Sequence, residues 1–229
     1  MQVENILSFN KNIAKNHKYY YNINEGVIYM SIVVFGGSFN PPLNSHFSIA
    51  QQVLNQFDEV EKIVFIPVNK KYPKKGLLDN EHRYNMLKLV ADKNSKFEIS
   101  NMDMCSEKSL PTIETLRKME KLFPNPKIWF LTGSDNLKEI DTWDSADELI
   151  SKHKILIMER NNDNMEGIIQ NNLLLNKYKE SFEKLDQNIR SNYNSTYVRG
   201  QIKEGKCVRY LMPDEVFEYI EKHQLYRRS

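Results

Sequence analysis

The chain has 229 residues, enough for one well-buried core with small appendages, and its 40% hydrophobic and 27% charged content is ordinary for a globular protein. Basic residues number 32 against 30 acidic, a net charge of +2, so no global field holds a nucleic-acid backbone or an anionic membrane and any phosphate binding must be local. No apolar run approaches the ~20 residues of a membrane span, and the amino terminus has no apolar signal-peptide core, so the expectation is a cytoplasmic protein with neither a membrane nor a nucleic-acid partner.

Residues 1–30 are polar and lack a long clean period. They read as an N-terminal extension whose role the sequence does not give, and residues 31–229 read as one domain. Residues 31–35 (SIVVF) are β-branched and run into Gly36 and Gly37, the pattern of a buried strand entering a tight turn. Phe47, Ile49, Ala50, Val53, Leu54 and Phe57 then recur at helical spacing over 45–57. A second strand is expected at 62–67 (KIVFIP), a helix at 80–92, a short strand at 96–99 and a helix at 111–122 with Pro111 in its first turn.

Residues 127–131 (KIWFL) read as the next central strand, followed after a short helical stretch near 145–151 by another at 154–158 (KILIM). Residues 160–176 are Asn-rich and weakly patterned, a loop with a poorly specified helix. A helix is expected at 196–204 with Gly205 as its stop, and another from Pro213 to about His223. Strands alternating with helices predict an α/β fold, a doubly wound parallel sheet covered on both faces, with a small C-terminal helical portion. Cys105 and Cys207 match no metal or redox spacing and are expected as buried thiols in a reducing compartment.

In such sheets ligands bind outside the carboxyl ends of the strands. The first segment there is 36–46, GGSFNPPLNSH. Its glycines let the backbone N–H groups of Gly36 and Gly37 approach phosphate, and His46 opens the next helix, where an imidazole either caps the helix or donates to an anion. The second is the basic stretch 67–77, PVNKKYPKKGL, whose Lys74 or Lys75 reaches a phosphate unless the cluster is simply solvated. His82 and Arg83 follow, equally able to anchor their helix. In the third, the Asp135 carboxylate after Gly133 can accept two hydroxyl donors, and Trp143 offers a flat face for an aromatic ligand or for the core. In the fourth, Ser195 reads as an N-cap, with Thr196 and Arg199 completing a second phosphate site.

Together these segments resemble the nucleotidyltransferase superfamily related to class I aminoacyl-tRNA synthetases, and within it the nicotinate/nicotinamide-mononucleotide adenylyltransferases. The likeness rests on GGSFNP…H at 36–46, PVNKKYPKKGL…HR at 67–83, the Gly133–Asp135 turn with Trp143, and NSTYVR at 194–199, and it runs from about 31 to 226. It implies a Rossmann-like fold and transfer of AMP from ATP to a pyridine mononucleotide, with pyrophosphate leaving, in NAD biosynthesis.

The resemblance further implies His46, Lys74 and Arg199 as catalytic residues. It places ATP on Gly36, Gly37, Ser38, Phe39, His46, Gly133, Asp135, Ser195, Thr196 and Arg199, and the mononucleotide on Ser38, Asn40, Tyr72, Lys74, Lys75 and Trp143. Mg²⁺ is expected on the ATP phosphates rather than on a protein cage.

One departure stands out. Leu43 occupies a position where similar enzymes carry His or Thr, and leucine donates no hydrogen bond. A nucleotide-binding protein without turnover is the alternative this raises; transfer to a different phosphate acceptor on the same fold is another. The preference between nicotinate and nicotinamide, and self-association into a homo-oligomer, are left open by the sequence.

Overall fold

In the computed structural model, which describes residues 30–160, 162–186 and 193–227, a single six-stranded sheet forms the centre. Its strands are β1 (Ser31–Gly37), β2 (Val60–Pro67), β3 (Phe97–Ile99), β4 (Lys127–Gly133), β5 (Ile155–Met158) and β6 (Phe182–Lys184). All neighbours pair in parallel, in the order β3-β2-β1-β4-β5-β6. The helices are α1 (Asn44–Gln56), α2 (Asn80–Ala91), α3 (Thr112–Leu122), α4 (Ser134–Leu137), α5 (Ala146–Lys152), α6 (Met165–Gln170), α7 (Leu173–Lys177), α8 (Ser195–Lys203) and α9 (Asp214–Lys222). The N-terminal extension, Met30 apart, lies outside the described residues.

The β-branched runs are buried on both sides, and alternate residues feed two cores. Val33 and Phe35 of β1, with Ile63 and Phe65 of β2, meet Phe47, Ala50, Val53 and Leu54 of α1 and Leu87 and Ala91 of α2. Ile32 and Val34, with Ile128 and Phe130 of β4, meet Ile113, Leu116 and Met119 of α3 and Leu149 and Ile150 of α5. The chain thus leaves β1 toward one face and β4 toward the other. These two strands are neighbours, and their diverging exits open a crevice at their carboxyl ends.

A third cluster sets the C-terminal unit in place. Leu43 and Met86 of the main body pack with Val198 and Ile202 of α8, Val208, Met212, Val216 and Ile220 in and around α9, and Leu225 beyond it. This unit brings α8 alongside the loop that follows β1.

The doubly wound sheet and its helices agree with the sequence pattern, boundaries shifting by a residue or two. Three expectations need correction, and one strand lies where none is expected. Residues 160–176 hold two short helices, because Asn164 caps α6 and Asn172 caps α7, each side chain accepting helix N–H groups. Beyond them lies β6, a three-residue edge strand pairing with β5, too short for an alternation to register. Asn194, not Ser195, caps α8: its side chain accepts from the Tyr197 N–H, while Ser195 donates its hydroxyl to the Pro41 carbonyl at 2.9 Å. The thiols of Cys105 and Cys207 are both exposed, not buried, since each sits in a polar loop outside the three clusters.

Candidate active site

At the carboxyl end of β1 the chain passes through Gly36, Gly37 and Ser38. A side chain at Gly37 would meet the Phe39 ring at 3.1 Å, so glycine there lets the loop fold back tightly. Phe39 takes a positive φ of 43° and is 2% exposed, its ring set edge-on to His46 at 5.2 Å and to Phe35 at 5.5 Å. Of the residues expected at ATP, Phe39 therefore has its side chain in the core, which leaves only its backbone to face a ligand.

His46 lies in the first turn of α1. Its Nδ1 accepts the Leu43 N–H at 2.8 Å, which leaves Nε2 as the ring nitrogen that carries hydrogen. Burial, and then the nearby charge of Arg160, push its pKa down to about 3. The ring is a neutral donor. Leu43 itself is 1% exposed and belongs to the third cluster, so at this position the chain uses a side chain for packing and a backbone N–H for aligning the histidine.

The basic loop following β2 separates its lysines. Lys70 pairs with Asp79, and Lys71 donates to the Glu107 carbonyl. Lys75 is exposed and makes no hydrogen bond or ion pair among the described residues. Lys74 alone turns toward the crevice, donating to Ser38 Oγ at 3.1 Å. Its pKa is lowered by burial first, then by the charge of Arg199. Tyr72 stands beside it, 43% exposed.

Arg83, one of the two residues left undecided by the sequence, is wholly buried and structural. Its guanidinium donates to the carbonyls of Leu78, Ser38 and Val68 and to Asn80 Oδ1, tying both loops to α2. Asn69 and Asp103 fix the start of the same loop through the Asn69 N–H and side-chain amide. His82 faces Tyr219 Oη at 3.0 Å, an anchor between α2 and α9.

Across the crevice β4 ends at Gly133, where an added Cβ would displace the Asp135 carboxylate and stand 3.1 Å from Arg160 Nε, so glycine lets both side chains lie close over the strand end. Asp135 and Arg160 face each other at 3.7 Å, both well exposed. Ser134 bonds the Arg160 N–H and Asp163, which joins the ends of β4 and β5. Trp143 is half-buried, edge-on to Phe130 at 6.2 Å, so one part of its ring is committed to the core. Arg199 on α8 donates to the Asn40 carbonyl at 2.8 Å and to Thr196 Oγ1 at 3.2 Å. Asn40, expected at the mononucleotide, is 1% exposed and turns its side chain inward, onto Gly76, Leu78 and Tyr226.

Three cations and a neutral imidazole thus reach one crevice from four elements: Lys74, Arg160, Arg199 and His46. Arg160 was missed from the sequence, where MERNND after a strand looks like loop. The available signal was its place two residues past β5, at the carboxyl end that the fold reserves for ligands.

A cytidylyltransferase-like family model matches residues 34–201. The probable nicotinate-nucleotide adenylyltransferase of Clostridium tetani is 32% identical over 197 residues, 85% of this chain and 98% of that protein. The chain belongs to this family. The Lachnoclostridium phytofermentans member is 31% identical over 196 residues, covering 84% of the chain and 97% of its own length. In fold, the family's Plasmodium falciparum nicotinic acid mononucleotide adenylyltransferase, solved with NaAD, matches with a TM-score of 0.71 at 23% identity over 86% of this chain and 97% of that one. The family match starts inside β1, so it takes in the sheet, the crevice and most of α8.

Proposed function

We propose that the chain transfers the adenylyl group of ATP to nicotinate mononucleotide, forming the dinucleotide and releasing pyrophosphate. A phosphate oxygen of the mononucleotide attacks the α-phosphorus in line, the bond to the β-phosphate breaks, and pyrophosphate carries the charge away. Such a step needs alignment and charge stabilisation rather than a covalent enzyme intermediate. The observation that carries the reading is the convergence of Lys74, Arg160, Arg199 and neutral His46 on the crevice between β1 and β4. Nicotinate is preferred to nicotinamide as acceptor because the relatives bear that name.

In this reading Gly36, Gly37 and the Phe39 backbone line the triphosphate, and His46 donates from Nε2 to it. Lys74 bridges from Ser38 to the reacting phosphates. Ser195, Thr196 and Arg199 receive pyrophosphate at the start of α8. Asp135 takes ribose hydroxyls, displacing its contact with Arg160. The exposed part of Trp143 and the Tyr72 ring flank the pyridine, with Lys75 free to approach from the loop.

Mg²⁺ arrives on the ATP phosphates. The crevice is cationic, and among the described residues no three His, Cys, Asp or Glu side chains are placed so that they could hold a metal ion. Residues 31–229 act as the transferase domain, in a cytoplasmic setting. No helix among the described residues is long and apolar enough to cross a membrane.

The alternative of a binder without turnover rested on Leu43. That side chain is packed in the third cluster, and the donors that remain include Arg160, a cation the sequence reading did not count. The test is pyrophosphate release with ATP, Mg²⁺ and either nicotinate or nicotinamide mononucleotide. Release with nicotinate mononucleotide, reduced ~10²–10³-fold by His46→Ala, is expected. No release with either acceptor, while ATP still binds, would return the chain to the silent-binder reading or to transfer onto a different phosphate acceptor.

A further inference from the structure

Asn40 is a four-way junction. Its Oδ1 accepts the Tyr226 hydroxyl at 2.8 Å and the Leu78 N–H at 3.2 Å, its Nδ2 donates to the Gly76 carbonyl at 2.8 Å, and its own carbonyl receives Arg199 at 2.8 Å. One buried amide thus connects the loop after β1, the basic loop that presents Lys74, the first turns of α8 and the end of the chain.

The least expected member is Tyr226. It lies 186 residues from Asn40 and beyond the last helix. The segment that delivers it is bent for the purpose: Gln224 and Tyr226 both take positive φ, 52° and 63°, a region disfavoured for residues with a Cβ. Leu225 between them is buried in the third cluster and fixes the bend. Burial pushes the phenol pKa well above its ordinary value, so the group stays an O–H donor. Backbone held in sparsely populated regions persists where the surroundings over-determine it, a condition met here by the Leu225 packing and the Asn40 bond.

We infer that Tyr226 is a positioning residue for adenylyl transfer, its hydroxyl closing the Asn40 junction that aims Lys74 and Arg199 at the phosphates. The inference rests on the function proposed above. Without the hydroxyl, Asn40 keeps its bonds to Gly76 and Leu78 but loses its tie to the end of the chain, so the loop that presents Lys74 and the Asn40 carbonyl that holds Arg199 are braced less firmly. Misplacement of this kind lowers the rate of the bound complex more than it weakens binding.

The test is Tyr226→Phe, which keeps the ring and its packing. Expected are a fall in kcat of about tenfold, KM for nicotinate mononucleotide within about twofold of wild type, and a Tm lowered by only about 2–4 °C, the cost of one buried hydrogen bond. Tyr219→Phe removes a hydroxyl from the same C-terminal unit, one bonded to His82 and Asn85 and not to the junction, and keeps wild-type kcat. A second arm reads the loop without activity: trypsin cleavage after Lys74 and Lys75 in the free protein is faster in Tyr226→Phe than in wild type. Unchanged kcat, or a loss of activity seen only at temperatures where the variant unfolds, overturns the inference. If the wild type itself shows no turnover the functional reading fails, and the junction is then judged by cleavage alone, unchanged cleavage overturning it.

Discussion

At the scale of single residues, the site turns on how His46 is held. The Leu43 N–H on Nδ1 selects the Nε2–H tautomer, and burial with the Arg160 charge keeps the ring neutral. The folded pKa is depressed below the unfolded value near 6.5, so the unfolded chain binds the extra proton first as pH falls. The contribution of His46 to stability is therefore complete above about pH 6.5 and is lost progressively between there and about pH 3. Thermal unfolding from pH 8 to 4 should show Tm falling on the acid side, with a shallower fall in His46→Asn. Arg160 supplies part of that depression and, in the proposed reaction, a phosphate contact. Arg160→Ala is expected to cut kcat/KM by ~10²-fold and to raise the His46 pKa, which NMR titration of the ring would read; an unmoved resonance with full activity would remove Arg160 from the site.

At the scale of elements, asparagine does work that pattern reading assigns to loops. Asn164, Asn172 and Asn194 each cap a short helix. A segment rich in asparagine and poor in periodicity reads as a loop with a poorly specified helix, because helices of five and six residues give no repeat to count. The cap on α8 matters most, since that turn presents Ser195, Thr196 and Arg199. Asn194→Ala should cost about 1 kcal/mol of stability, seen as a lowered midpoint in urea, and should raise KM for ATP as the first turn frays. Asn194→Ser, which still accepts a hydrogen bond, should recover most of both. The basic loop shows the same limit: four lysines look alike in sequence, and only their partners, Asp79, Glu107 and Ser38, tell which one is at the crevice.

At the scale of the whole molecule, the two cores and the C-terminal cluster account for almost every apolar residue that the sequence put at helical or strand spacing. The cysteines fall outside all three. Both should react with a thiol reagent in the native protein, two equivalents per chain without denaturant; a burst only on unfolding would contradict their exposure. Leu43 belongs to this scale as well, because its burial depends on α8 and α9 returning to the loop after β1.

The sequence by itself determined the parallel doubly wound sheet, the family and the carboxyl-end placement of the candidate site, since β-branched runs, glycine turns and a long composition-specific signature are local properties of the chain. Only the tertiary structure decided which lysine faces the crevice, that Arg160 joins it, that Phe39, Asn40 and Arg83 face inward, and that Tyr226 closes a junction 186 residues away. The reason is physical. Whether a polar side chain meets ligand or protein depends on which buried donors and acceptors lack partners once distant segments have packed, and no window of neighbouring residues contains that information.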